Sequence, residues 1–362
     1  MTEAAYSTLS TFADRYLPLL VFPALSAGAF SMMAPHMMGE SFQKKVNVQC
    51  PLDGLGSTSY RVPYTGVFGL DKFLCDLVAF FHAAMQPEVS AFMNYTVVAG
   101  GMMFLLPFIE GSRRGAGWRN VLVAFPVVTT LLFQLATVGG SMPIWWTFFL
   151  GGAHHRMTGS DAFISRARAE AIVFAFIVGI IVPTAAMLAY DNPLTIVLWQ
   201  PCPLYFYIVQ QFYGSFRRQA SPSSHVQSGF RIMQAFYIFL FIAAAVPHVQ
   251  LLRRLYPDEG AIVSFFLAPS VPNPDASMAT QALNVLQWDV LGFCVSCLLA
   301  AFWFADSLDE MQALSGYYMI ALPLLGPFAS FIGTLLWREW KLNGKPNGFG
   351  VLPEKQKKMK KD

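Results

Sequence analysis

Residues 61–96 read RVPYTGVFGLDKFLCDLVAFFHAAMQPEVSAFMNYT, and they set Asp71, Asp76, His82 and Glu88 into sequence that is otherwise apolar and aromatic. An ionised side chain in lipid costs at least about 2.5 kcal/mol, so such groups mark either chemistry or a tied helix end. Both uses stay open here. The carboxyls offer proton donors and acceptors, His82 offers a relay, and Phe68, Phe73, Phe80, Phe81 and Phe92 offer walls for a water-poor cavity. The same groups also suit helix caps, or pairing with Lys72 and Arg61. At about 100° per residue, Asp71, Cys75, Val78 and His82 share one stripe, while Asp76 lies roughly 140° away. The segment therefore either spans a membrane or lies in its interface, before Pro87-Glu88 resets the chain.

The rest of the chain decides the setting. With 55% apolar and 12% charged residues and a mean hydropathy of +0.47, the composition lies outside that of soluble proteins. It predicts an all-α, polytopic transmembrane bundle. Apolar runs long enough to cross at about 1.5 Å per residue fall at 16–34, 89–109, 120–138, 171–190, 194–216, 229–252, 282–305 and 315–337, giving about eight spans, with seven to nine tolerated. The domain reading is a short lead at 1–15, one membrane domain at 16–340 and a basic cytosolic tail at 341–362. The first run lacks a basic flank before it, which favours a retained span over a cleaved signal.

Between these runs, 36–64 reads as a polar loop, and 141–152 (SMPIWWTFFLGG) reads as a re-entrant or interfacial segment anchored by Trp145 and Trp146. Pro201 and Pro203 kink the run at 194–216, which also carries Trp199 and Tyr205. Residues 256–280 read as a long connection. Basic loops at Arg113–Arg119, Arg166–Arg168, Arg217–Arg218 and Arg253–Arg254 cannot all share one side, so the orientation of the first helix stays open. The tail ends KQKKMKKD, with Lys358 and Lys360 placed as in a dilysine signal for return to the endoplasmic reticulum. A lipid-binding basic tail is the alternative, and either puts the tail in the cytosol.

The five cysteines are an odd number and mostly lie in apolar sequence, so they read as packing residues without a disulfide framework. Cys294 and Cys297 form a CxxC, but neither a second pair nor a nearby His completes a zinc site. His154-His155 lacks a third ligand nearby. No basic stripe alternates with aromatics, so nucleic acid is not an expected partner. DDxxD, DxDD, phosphate-binding glycine loops, HExxH and GxSxG are all missing, which removes most soluble enzyme classes. Asp289 sits inside the apolar run 282–305 and is expected to face the bundle interior beside Asp76 as a candidate acid.

Scattered carboxyls among 33 Phe, 13 Tyr and 8 Trp suit acid-initiated cyclisation of a lipophilic polyene. Desolvation keeps a carboxyl protonated, and aromatic faces stabilise a carbocation by roughly 0.5–2 kcal/mol each. Transporters and receptors are equally aromatic. The block LDKFLCDLVAFFHAAMQPE, the kinked LWQPCPLY and the helix LQWDVLGF resemble the fungal membrane-bound terpene cyclases of the ascofuranone type, which include the ascofuranone, ascochlorin and macrophorin cyclases. The likeness covers nearly the whole chain and is one of general pattern.

This resemblance implies cyclisation of a farnesylated aromatic polyketide in meroterpenoid biosynthesis, often after a membrane-bound monooxygenase has epoxidised the terminal alkene. It requires neither metal nor redox cofactor. On that reading Asp76 or Asp289 is the acid, Glu88 and His82 act as relay or base, and Asn94, Trp199, Tyr205 and Asp71 shape the substrate pocket. Two other classes stay in view: a magnesium-dependent membrane prenyltransferase using DSLDE (306–310), and a non-enzymatic transporter or receptor.

Overall fold

The computed structural model describes residues 15–51, 60–101, 104–116 and 121–343. Among these the regular structure is helical, apart from one isolated bridge between Ser165 and Ser228. In chain order the first helices are α1 (Leu17–Met38), α2 (Glu40–Gln49), α3 (Phe68–Ala84), α4 (Ser90–Gly100), α5 (Leu105–Gly111), α6 (Val121–Ala124), α7 (Pro126–Ala136) and α8 (Val138–Gly151). They are followed by α9 (Arg166–Tyr190), α10 (Pro193–Trp199), α11 (Cys202–Ala220), α12 (Phe230–Leu255), α13 (Glu259–Phe266), α14 (Met278–Ala300) and α15 (Leu308–Asn343).

Among the described residues six segments are long and apolar enough to cross a membrane: α1, α4 with α5, α9, α12, α14 with the turn that follows it, and α15. Leu20, Phe212, Ile242 and Ile320 stay exposed on the outside, a surface that lipid suits and water does not. The protein is a polytopic membrane protein.

Contacts along the helices define two ends. At one, Leu19 of α1 lies near Gly151 and Phe22 packs on Trp303, so α1 starts where α8 and α14 finish. At the other, His36 of α1 reaches the Pro269 carbonyl, and Lys45 reaches the carbonyls of Pro274 and Ala276, just before α14 begins. The helix α15 does not cross once. Gly326 has φ 83° between Pro323 and Pro327, and the two arms fold back together, with Tyr318 hydrogen-bonded to Thr334 and Lys341 paired with Glu310. Both ends of α15 thus lie at the end where α1 starts.

A second hairpin is shorter. The helices α7 and α8 meet at Thr137, held at φ 70° and ψ 146°, and the turn reaches only the middle of α14. Gly139 is required there, because a Cβ would strike the Asp289 carbonyl.

The structure corrects several expectations. The run at 120–138 does not form one span: within it, α6 and α7 make the entering arm of this re-entrant hairpin, whose returning arm takes in 141–152. Trp145 and Trp146 are fully buried and pack on each other and on Phe149, because the returning arm is enclosed by α1 and α14; they are not interfacial anchors. The polar stretch 36–64 contains α2, whose Phe42 and Val46 are one helical turn apart and both buried. Cys50 and Cys75 are bonded to each other, with Cα atoms 5.9 Å apart, so Cys75 is not merely a packing residue. An odd cysteine count does not prevent a single bridge. Cys202, Cys294 and Cys297 are free and buried, as expected. Residues 256–280 hold α13. The 355–361 lysines lie outside the described residues.

Candidate active site

The helices α2 and α3 lie against each other as a cap. Asp71, in the first turn of α3, is buried and accepts hydrogen bonds from the Thr65 amide and hydroxyl, each at 2.7 Å, and from the Gly66 amide at 3.1 Å. Burial pushes its carboxyl up, but these donors and the Arg61 charge outweigh it and hold the group below the usual carboxylate range. Asp71 therefore anchors the loop that leads into α3.

Beneath the cap is a cavity of about 360 Å³, within the size range of small-molecule sites. Its walls come from Phe42 of α2, Phe73, Phe80 and Phe81 of α3, Phe104, Phe133 of α7 and Trp199 of α10. Few polar groups interrupt this lining. Asp76 enters from the cap, with its carboxylate 2.5 and 2.8 Å from the Lys72 ammonium. Asp289 enters from α14 and accepts a 2.6 Å hydrogen bond from the Gly139 amide, while the Thr137 side chain and the Val138 amide also bond to it. The start of α8 fixes this carboxyl in place. Thr96 lines the cavity with a buried hydroxyl that has no partner among the described residues, and Gln134 bonds to Gln200.

The fold thus brings Asp76, Asp289 and Trp199, three of the residues singled out from sequence, to one cavity. Trp199 is held by a 2.9 Å bond from its indole N–H to Thr184 and by an edge contact with Phe81. The others lie outside the lining. His82 bonds to Asp191 at 2.8 Å and to Gln86 at 3.0 Å, and Glu88 accepts from Ser277 at 3.0 Å. Asn94 is exposed and Tyr205 is half-buried beside the crossing of α11 over Gly179 of α9.

Thr96, Gln134 and the strained Thr137 were not picked out by sequence reasoning. The Gly139-Gly140 pair after Thr137 was the available signal. The DSLDE stretch lies at the opposite end from the cap, where Lys341 holds Asp306 at 2.8 Å and Glu310 at 2.6 Å. Of the adjacent histidines, His154 stacks on Phe149, while burial and then the charges of Arg156 and Arg338 push the His155 imidazole down to about 3. Among the described residues no group of three or more His, Cys, Asp or Glu side chains is arranged to hold a metal ion.

The arrangement is one of two carboxyls from different helices in an aromatic, mostly apolar chamber. Chemically, such a chamber can deliver a proton to a lipophilic molecule and shield the cation that results. Comparison with known proteins agrees in kind. The family described as CtvD domain matches residues 20–340. A terpene cyclase, ascI of Acremonium egyptiacum, is 22% identical over 322 residues, covering 80% of this chain and 83% of that protein. No solved structure matches the chain significantly.

Proposed function

The chain belongs to the CtvD-domain family, and from that membership together with the cavity we propose that it is a membrane-bound terpene cyclase. Its substrate on this reading is a prenylated aromatic polyketide whose farnesyl chain carries a terminal epoxide or alkene. The observation that carries the reading is the convergence of Asp76 and Asp289 on one aromatic cavity.

Asp289 is the proton donor: it lies inside the bundle on α14, held by the Gly139 amide and other neutral donors rather than by a cation. Its proton passes to the epoxide oxygen and the C–O bond breaks. An alkene of the same chain closes on the cationic carbon, and the charge moves along the chain while the aromatic faces of Phe80, Phe81, Phe133 and Trp199 stabilise it. Asp76, ion-paired with Lys72 and partly open to solvent, takes the closing proton, and proton exchange with water returns both carboxyls to their starting states. Product and substrate are isomers, so the cycle needs no external reductant or oxidant. His82 and Glu88 make their hydrogen bonds outside the cavity, and no step is assigned to them.

On the same reading the protein works in the endoplasmic reticulum membrane, beside a membrane-bound monooxygenase that supplies the epoxide. The test uses microsomes containing the protein, treated with chelator and given a terminally epoxidised farnesyl-aryl compound. A new product of identical mass, absent with empty microsomes, is the expected result. Absence of that product, together with magnesium-dependent conversion of an added prenyl diphosphate and an aromatic acceptor with release of pyrophosphate, would overturn the reading in favour of prenyl transfer.

A further inference from the structure

The two ends of the bundle differ in charge and in redox chemistry, and the differences agree. Arg113, Arg114, Arg166, Arg168, Arg217 and Lys341 gather at the end where α1 starts and α15 finishes. Contacts across that end establish this: the Arg114 amide bonds to the Phe163 carbonyl, Arg168 to the Ser112 carbonyl, Arg113 to Glu339 and Lys341 to the Phe304 carbonyl. Arg156 and Arg338 lie there too. Among the described residues the cap end carries fewer cations: Lys44, Lys45, Arg61 and Lys72, with Arg253 and Arg254 at the end of α12. An excess of Lys and Arg marks the cytoplasmic side of a membrane protein. The Cys50–Cys75 bridge lies at the cap end, and such bridges persist in oxidising compartments, not in the cytosol.

We propose that the cap faces the non-cytosolic compartment and that Cys50 and Cys75 are positioning residues, whose bridge holds α2 against α3 so that Asp76 enters the cavity. Asp76 follows Cys75 directly, and Phe42 and Val46, one turn apart on α2, line the same cavity. A helix of 10 residues is marginal by itself, so α2 depends on what ties it down. The bridge joins its last turn, where the Cys50 amide bonds to the Val46 carbonyl, to the middle of α3. In its formation two S–H bonds break and one S–S bond forms. The two electrons and two protons pass to the disulfide of an exchange protein, which becomes a dithiol.

The kinetic part of this inference rests on the cyclase reading; the labelling parts do not. Denatured, unreduced full-length protein treated with a polyethylene-glycol maleimide is expected to gain three adducts, at Cys202, Cys294 and Cys297, and five after reduction. Five before reduction would overturn the bridge. In sealed microsomes with the cytosolic face outward, a membrane-impermeant maleimide is expected to label Ser160→Cys directly and Asp275→Cys only after permeabilisation, with unsubstituted protein as the blank. The reverse order would overturn the orientation.

The Cys50→Ser/Cys75→Ser double variant is expected to keep its KM and lose about tenfold in kcat, and to ignore added reductant, whereas reductant lowers kcat of the unsubstituted protein to the same level. An unchanged kcat in both experiments would overturn the positioning role. If the unsubstituted protein converts no substrate, the cyclase reading fails, while the adduct count and the labelling order still decide the bridge and the orientation.

Discussion

Asp76 and Asp289 are separated by most of the sequence, yet they meet at one cavity with different supports, and the supports predict different failures. Asp289→Asn removes the donated proton while keeping an oxygen to accept the Gly139 amide. Turnover is expected to fall by about 10²–10⁴ with protein level unchanged. Asp76→Asn keeps an isosteric side chain beside Lys72 and loses the closing base. It is expected to slow turnover and to release products quenched by water, heavier than the substrate by one water molecule, in the same mass-spectrometric assay. Full activity in both variants sinks the site. Thr96 gives a finer reading of the substrate. Its buried hydroxyl has no partner among the described residues, so a bound oxygen atom is its natural complement. Thr96→Val is expected to lower kcat/KM about tenfold without lowering the melting temperature. Equal kcat/KM would show that the hydroxyl reads nothing.

Among the elements, the α7–α8 hairpin carries the most structural consequence for the site, and it was only half legible in the sequence. Its returning arm, 141–152, is too short to span, and that shortness correctly signals a re-entrant segment. Its entering arm reads as a full span because 120–138 is apolar throughout, and apolarity does not distinguish lipid from a protein interior. The same ambiguity hid the fold-back in α15, where one glycine between two prolines turns an apparent single crossing into two arms. The cap was hidden for the opposite reason. With a low apolar content, α2 reads as loop, and the bridge that ties it down joins residues 25 apart, which spacing alone does not pair. Asp76 and Asp289 were legible because charge inside apolar sequence is rare. Their shared cavity was not, since it depends on the hairpin tip meeting α14. Gly139→Ala tests that meeting. A methyl group there strikes the Asp289 carbonyl, so the tip must retreat, at a cost of about 1–3 kcal/mol. The expected outcome is a lower melting temperature in detergent together with lost turnover.

Across the whole molecule, the end opposite the cap is held by charge where the cap end is held by a covalent bridge. Glu110, Arg113, Arg338 and Glu339 are all buried, and their formal charges cancel. Arg113 reaches Glu110 at 3.0 Å and Glu339 at 2.6 Å, and Arg338 grips both oxygens of Glu110. The cluster joins the end of α5 to the returning arm of α15, which has no covalent constraint of its own beyond the turn at Gly326. Assembling such a cluster yields little net stability, because desolvation consumes most of the attraction, but removing one member leaves a buried charge uncompensated. Glu110→Gln is therefore expected to cost about 3–5 kcal/mol, seen as a marked drop in melting temperature and in detergent-extracted yield. Pairing it with Arg338→Met restores neutrality and is expected to recover most of that loss, since an apolar side chain of similar volume then fills the gap. The cavity is at the other end, so whatever Glu110→Gln protein survives should bind substrate with an unchanged KM. A raised KM in the folded fraction would instead mean that the α15 hairpin transmits strain from this end, through its contact with His248 at Gly326, to the helices around the cavity.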